Sequence, residues 1–75
     1  MANRKITLTT DPQSIDITDM GLRIKSDGSI FYWADSATKI TDNQKDVGFD
    51  DRDVFINGPR KIWVWADSSR VVRVG

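Results

Sequence analysis

The amino-acid sequence predicts an all-β domain: a small antiparallel β-sandwich or barrel of six to seven short strands, built on two related hairpins. Three observations predict it. All 11 acidic residues are Asp, with no Glu, while Ile, Val and Thr supply 20 of the 75 residues. Asp favours turns and strand ends, and β-branched side chains favour pleated surfaces. A stretch also occurs twice: residues 30–36 (IFYWADS) reappear as residues 62–68 (IWVWADS). The match extends back through Leu22-x-Ile24 and Val54-x-Ile56, so the internal repeat is 22–36 and 54–68. Finally, turn-forming residues recur between short apolar runs, the spacing of an all-β fold.

The elements follow in order. Residues 1–4 form a polar lead-in that is expected to fray. Lys5 to Thr9 alternates, with Ile6 and Leu8 facing a core. Asp11-Pro12 breaks this strand, and Ile15-Asp16-Ile17 is a second alternating run ending near Asp19. Gly21 lets the backbone turn into the first repeat. There Leu22 and Ile24 point one way, Arg23 and Lys25 the other. Ser26-Asp27-Gly28-Ser29 reads as a hairpin turn, because Gly28 adopts positive φ at little cost. Ile30 to Ala34 has no wet face: Ile30, Tyr32 and Ala34 oppose Phe31 and Trp33.

Residues 37–53 are the least regular. Lys39-Ile40-Thr41 reads as a brief strand, Asp42 to Val47 as one helical turn closed by Gly48, and Phe49 as an isolated hydrophobe under the loop. Asp50 to Asp53 is a charged knot. In the second repeat Val54 and Ile56 match Leu22 and Ile24, residues 57–60 (NGPR) turn, and Ile62, Val64 and Ala66 oppose Trp63 and Trp65. A final strand, Val71 to Val74, sets Val72 and Val74 against Arg73.

Length and charge bound the function. Seventy-five residues make a single β domain, 1–75, near the lower limit for folding alone. With no Cys and no His, neither a disulfide nor an ordinary zinc site supports it. No cofactor is implied. Small size without such a staple favours oligomerisation or docking on a partner. The formal net charge is zero, which argues against a strongly electrostatic nucleic-acid binder. No apolar run reaches the length of a membrane span, and the N-terminus lacks the apolar core of a signal peptide.

Four groups of residues are candidate sites. Phe31 and Trp33 occupy the same repeat positions as Trp63 and Trp65, so pseudo-symmetry is expected to bring them together. They form either the core or, with Phe55, an interface (Phe31, Trp33, Phe55, Trp63, Trp65) covering the second face of two-sided strands. An aromatic platform for a sugar is a lesser alternative. Asp35-Ser36 and Asp67-Ser68 read as strand stops that accept backbone hydrogen bonds, since no base or nucleophile accompanies them. Asp42, Asn43, Asp46, Asp50, Asp51 and Asp53 form an oxygen-rich loop of the kind that binds calcium, but without the spacing of an EF-hand, so a solvated loop is the favoured reading and calcium the lesser one. Arg4, Lys5, Arg23, Lys25, Arg60, Lys61, Arg70 and Arg73 are available to line an outer sheet face, which keeps single-stranded nucleic acid as an alternative ligand. No catalytic or metal-binding residues are assigned.

Ile6-Thr7-Leu8-Thr9-Thr10-x-Pro12-Gln13, the aromatic strand ending in Ala34-Asp35, and Lys61-Ile62-Trp63-Val64-Trp65-Ala66 before a short valine strand resemble small accessory virion proteins of tailed bacteriophages. The resemblance implies a non-enzymatic structural subunit of the virion, present in the host cytoplasm during assembly. It would decorate or stabilise the head by contact with the major capsid protein, with a tail or neck position as the alternative. It further implies a homo-oligomer, a trimer first, and carries over no catalytic residue. The long middle loop departs from this pattern.

Overall fold

A computed structural model describes residues 4–18 and 20–75. The expected fraying of the first residues and the strand end at Asp19 fall wholly or partly outside these. Eight strands form, rather than six or seven: β1 (Arg4–Leu8), β2 (Gln13–Ile17), β3 (Gly21–Ser26), β4 (Phe31–Asp35), β5 (Phe49–Asp51), β6 (Asp53–Asn57), β7 (Arg60–Trp65) and β8 (Arg70–Val74). A 3-10 helix, Asp42–Val47, precedes β5. The strands make two four-stranded sheets with every pairing antiparallel: β1-β8-β3-β6 (sheet A) and β2-β7-β4-β5 (sheet B).

The alternation of each strand sets the core. Leu8, Leu22, Ile24, Ile56, Val72 and Val74 of sheet A meet Ile15, Ile17, Phe31, Ile62 and Val64 of sheet B in one cluster. The largest side chains sealed from solvent there include Phe31, Ile24, Ile62 and Val64. Burying one such side chain contributes about 1.5–3 kcal/mol.

Neither repeat is a hairpin. β3 lies in sheet A and β4 in sheet B, and β6 and β7 divide in the same way. Each turn is therefore a corner that carries the chain from one layer to the other. Within sheet A β3 pairs with β6, and within sheet B β4 pairs with β7, so the two repeats lie side by side. At the first corner Gly28 takes φ +116°. The buried Ser26 hydroxyl accepts from the Gly28 N–H at 3.2 Å and donates to the Ser29 carbonyl, so this polar group is satisfied inside the corner.

The two corners carry the alternation into sheet B in different phase, and that sorts the aromatic residues. Four residues, 27–30, separate β3 from β4, but only two, 58–59, separate β6 from β7. Side chains alternate with a period of 2, so a change of phase through a corner exchanges faces. In the first repeat Phe31 faces the core; in the second, Ile62 and Val64 do, and Trp63 and Trp65 turn outward. The register pairs Tyr32 with Trp65 and Ala34 with Trp63. Equivalent positions of the repeat thus lie on opposite faces of sheet B, and the expected gathering of Phe31, Trp33, Trp63 and Trp65 does not occur.

The middle segment covers the outer face of sheet B. Ile40 is buried with Ala34 and Trp65 in a second apolar cluster, flanked by Tyr32 and Trp63. Residues 39–41 form no strand; Thr41 instead opens the helix, its N–H donating to Gln44 Oε1 at 3.1 Å. The Gly48 N–H donates to the Lys45 carbonyl and closes it. Lys45 Nζ reaches the Thr10 carbonyl and ties the helix to the β1–β2 connection. The chain thereby supplies its own cover for Trp65, where the sequence suggests another molecule.

Candidate interaction surface

The five aromatic residues expected at an interface occupy three environments. Phe31 is fully buried between the sheets, and Trp65 is 4% exposed, stacked on Tyr32 with centroids 6.0 Å apart. Neither presents a surface to a partner, because the opposite sheet covers one and the middle segment covers the other. Trp33 is half-buried at the open side of the core, tilted against Phe49 at 5.1 Å, its Nε1–H donating to Asp51 at 2.9 Å. Trp63 is half-buried on the outer face, its Nε1–H donating to the Ser36 carbonyl at 3.1 Å. Phe55 alone is open, at 62%.

Phe55 stands on β6, an edge strand of sheet A, with its ring over Gly21. Any side chain at residue 21 would meet that ring, so Gly21 makes room for it rather than making a turn. Beside it, Met20 is 87% exposed and shares a hollow with Phe55 and Pro59. Alternation places Phe55 outward, but nothing in the local pattern marks Met20, which lies just before β3.

The outer face of sheet A is basic. Lys5 lies opposite Arg73, and Arg73 opposite Lys25, on three adjacent strands. Directly opposed residues share a face, and like charges so placed repel. Arg23 joins them, opposite Phe55. Among the described residues, Asp53 answers this group: it accepts Arg23 Nε at 2.8 Å and faces Lys25 in register. The hydrogen bond from Arg23 holds the Asp53 carboxyl below its ordinary value and raises Arg23 in turn. The other expected cations lie elsewhere. Arg60 pairs with Asp35, Lys61 lies near Asp16, Arg70 is half-buried, and Arg4 sits opposite Val74.

Four of the 11 acidic residues lie on the 3-10 helix and β5. Asp42, Asp46 and Asp50 are exposed there, together with Val47 (68%) and Phe49 (60%). Phe49 was expected under the loop; it instead ends the loop as the first residue of an edge strand, one side on Trp33 and the other open. Val47, Phe49 and Ile40 line a hollow. Among the described residues no group of three or more carboxylates converges to hold a metal ion. The strand-end aspartates also act at longer range than expected: Asp35 accepts Arg60, and Asp67 accepts the Tyr32 hydroxyl at 3.0 Å. That bond, with burial second, raises the pKa of Tyr32.

Compared with known proteins, the chain matches no family model, no curated protein and no solved structure.

Proposed function

We propose that this chain is a non-enzymatic structural subunit that works by binding protein surfaces, its own copies included. Following the resemblance to phage accessory proteins, its place is the virion, where it decorates or stabilises the head on the major capsid protein. A tail or neck position is the alternative within the same reading. The observation that carries the proposal is Phe55, 62% exposed on an edge strand beside Met20. Single exposed hydrophobes are ordinary, whereas adjoining ones on a small domain mark contact sites. The free edge of β6 adds main-chain groups able to pair with a partner strand.

The test combines Phe55→Ser with Met20→Ser. Co-sedimentation with purified phage heads is expected for the natural protein and lost in the double variant, with β circular dichroism unchanged. Absence of the natural protein from purified particles, read by quantitative mass spectrometry, would overturn the virion assignment. Unchanged protein binding by the double variant would overturn the role of the patch.

A further inference from the structure

Strand β6 ends sheet A, and the hydrogen-bond pattern shows which of its main-chain groups are free. The Ser26 N–H donates to the Arg52 carbonyl and the Gly58 N–H to the Met20 carbonyl, so residues 52 and 58 bond toward β3 and its lead-in. Arg23, opposite Phe55, uses both its N–H and its carbonyl on Gly75, on the other side of β3. Bonding alternates along an antiparallel strand, so Val54 and Ile56 also bond toward β3. The N–H and C=O groups of Asp53, Phe55 and Asn57 therefore point out at the free edge, where among the described residues no strand meets them. We propose that this edge takes the β6 strand of a second copy, antiparallel about a two-fold axis, with Phe55 opposite Phe55 and Asp53 opposite Asn57. The sheets A of the two copies then join into one continuous sheet. This rests on the reading of β6 as a protein-binding edge, and names its occupant and register.

The strand is complementary to itself. In that register Asp53, Phe55 and Asn57 of each copy form hydrogen-bonded pairs with Asn57, Phe55 and Asp53 of the other, so every outward N–H and C=O of the strand is satisfied. A shift of two residues leaves one of the three unpaired in each copy, and a shift of one sets core-facing side chains opposite outward ones. The one charge in the strand, Asp53, meets an amide rather than another carboxylate. On the core side Val54 is half-buried, and the register sets Ile56 of the second copy directly against it. The edge is also open to approach. The Phe55 ring lies back over Gly21, on the β3 side, and Arg52 Nε is drawn to the Gly28 carbonyl at 3.0 Å, toward the first corner. Exposed edges usually carry a guard: a lysine, a proline or a very short strand. Here β1 has Arg4 and Lys5, β2 sets Ser14 and Asp16 between its apolar residues, and β5 has three residues. In contrast β6 runs Val54-Phe55-Ile56 without a break and has no Lys, Arg or Pro. A formal net charge of zero adds no long-range repulsion between copies. Each copy presents the same strand, so the contact closes at two and sets both Phe55–Met20 patches on one face of the joined sheet.

The experiment measures the mass of the full chain by light scattering across a dilution series, with amide hydrogen exchange followed by NMR at each concentration. A dimer is expected. The amides of Phe55 and Asn57 should become protected as it forms, while those of Val54 and Ile56 are protected in monomer and dimer alike. Two variants at the exposed Asn57 test the register, each checked for unchanged β circular dichroism. Asn57→Asp sets a second carboxylate across from Asp53 at both ends of the contact and should weaken the dimer about three- to tenfold, whereas Asn57→Lys should strengthen it by a similar factor. A natural protein that stays monomeric overturns the inference, as does a trimer. So does a dimer whose Phe55 and Asn57 amides exchange as fast as in the monomer, or one whose affinity the two Asn57 variants shift in the same direction or not at all. Protection of those amides only when phage heads are added assigns the edge to a capsid strand, which overturns the inference and leaves the proposed function standing. A dimer with the expected protection that does not bind heads does the reverse.

Discussion

Gly48 lies against the indole of Trp65: a Cβ at residue 48 would come within 2.6 Å of Cη2 and 2.8 Å of Cζ2. The ring is held from its other neighbours by Tyr32, Ala34 and Ile40, so it cannot retreat without disturbing the second cluster. Gly48→Ala is therefore expected to destabilise the fold by about 1–3 kcal/mol, the usual cost of overpacking. Thermal unfolding checks it. A red shift of tryptophan emission in the folded variant would show that the segment has lifted from Trp65. No loss of stability would mean that the cover adapts freely.

This contact also marks how far the sequence could be read. Alternation in 22–25, 62–66 and 71–74 shows which side chains oppose which, and the structure keeps those oppositions. Which side becomes core depends on phase through a corner, and the two corners, both crossings between sheets, carry that phase differently. Ser26-Asp27-Gly28-Ser29 has hairpin chemistry but makes a crossing, because β3 finds its neighbours in β6 and β8. The helical turn and its closing Gly48 were legible from local signals. That the segment folds back on Trp65 was not, since the contact joins residues far apart in sequence and leaves no periodicity. Among the surface residues, Phe55 could be named from its position in the repeat, where it takes the place of the outward-facing Arg23. Met20 and Val47 belong to no alternating run, and only the folded chain shows them exposed.

The two outward tryptophans of β7 should separate cleanly. Trp65 is enclosed, and Trp65→Ala is expected to cost about 3–5 kcal/mol, the range for emptying a buried aromatic site. Trp63 is only half-buried, so Trp63→Ala removes less area and leaves the Ser36 carbonyl near solvent. A smaller loss, below about 2 kcal/mol, is expected there. Denaturant titration of both variants decides it. Equal losses would mean that Trp63 supports the middle segment as much as Trp65 does.

Gly21 and Phe55 should be energetically coupled. A Cβ at residue 21 would overlap the Phe55 ring and lie 3.0 Å from the Ile56 carbonyl oxygen. Gly21→Ala alone must push the ring away from the strand. In a Phe55→Ala background the same change meets only the backbone neighbour. The double-mutant cycle is therefore expected to show a coupling of about 0.5–2 kcal/mol, within the range for residues in contact. Additive losses would show that the ring does not rest on residue 21 in solution.

Stability should respond to pH at both extremes, through different pairs. Asp53 is lowered in the folded state by its hydrogen bond from Arg23. Its contribution is therefore present above the unfolded carboxylate value of about 3.9 and is lost as pH falls through the lower folded value. Tyr32 is raised in the folded state, first by its hydrogen bond to Asp67 and then by burial. Its contribution is present below the unfolded phenol value of about 10 and is lost as pH rises through the higher folded value. Asp53→Asn should flatten the acid limb of a melting-temperature profile and leave the alkaline limb alone. Tyr32→Phe should do the reverse while keeping the ring on Trp65. An alkaline limb that survives Tyr32→Phe would show that the Tyr32–Asp67 hydrogen bond does not set it.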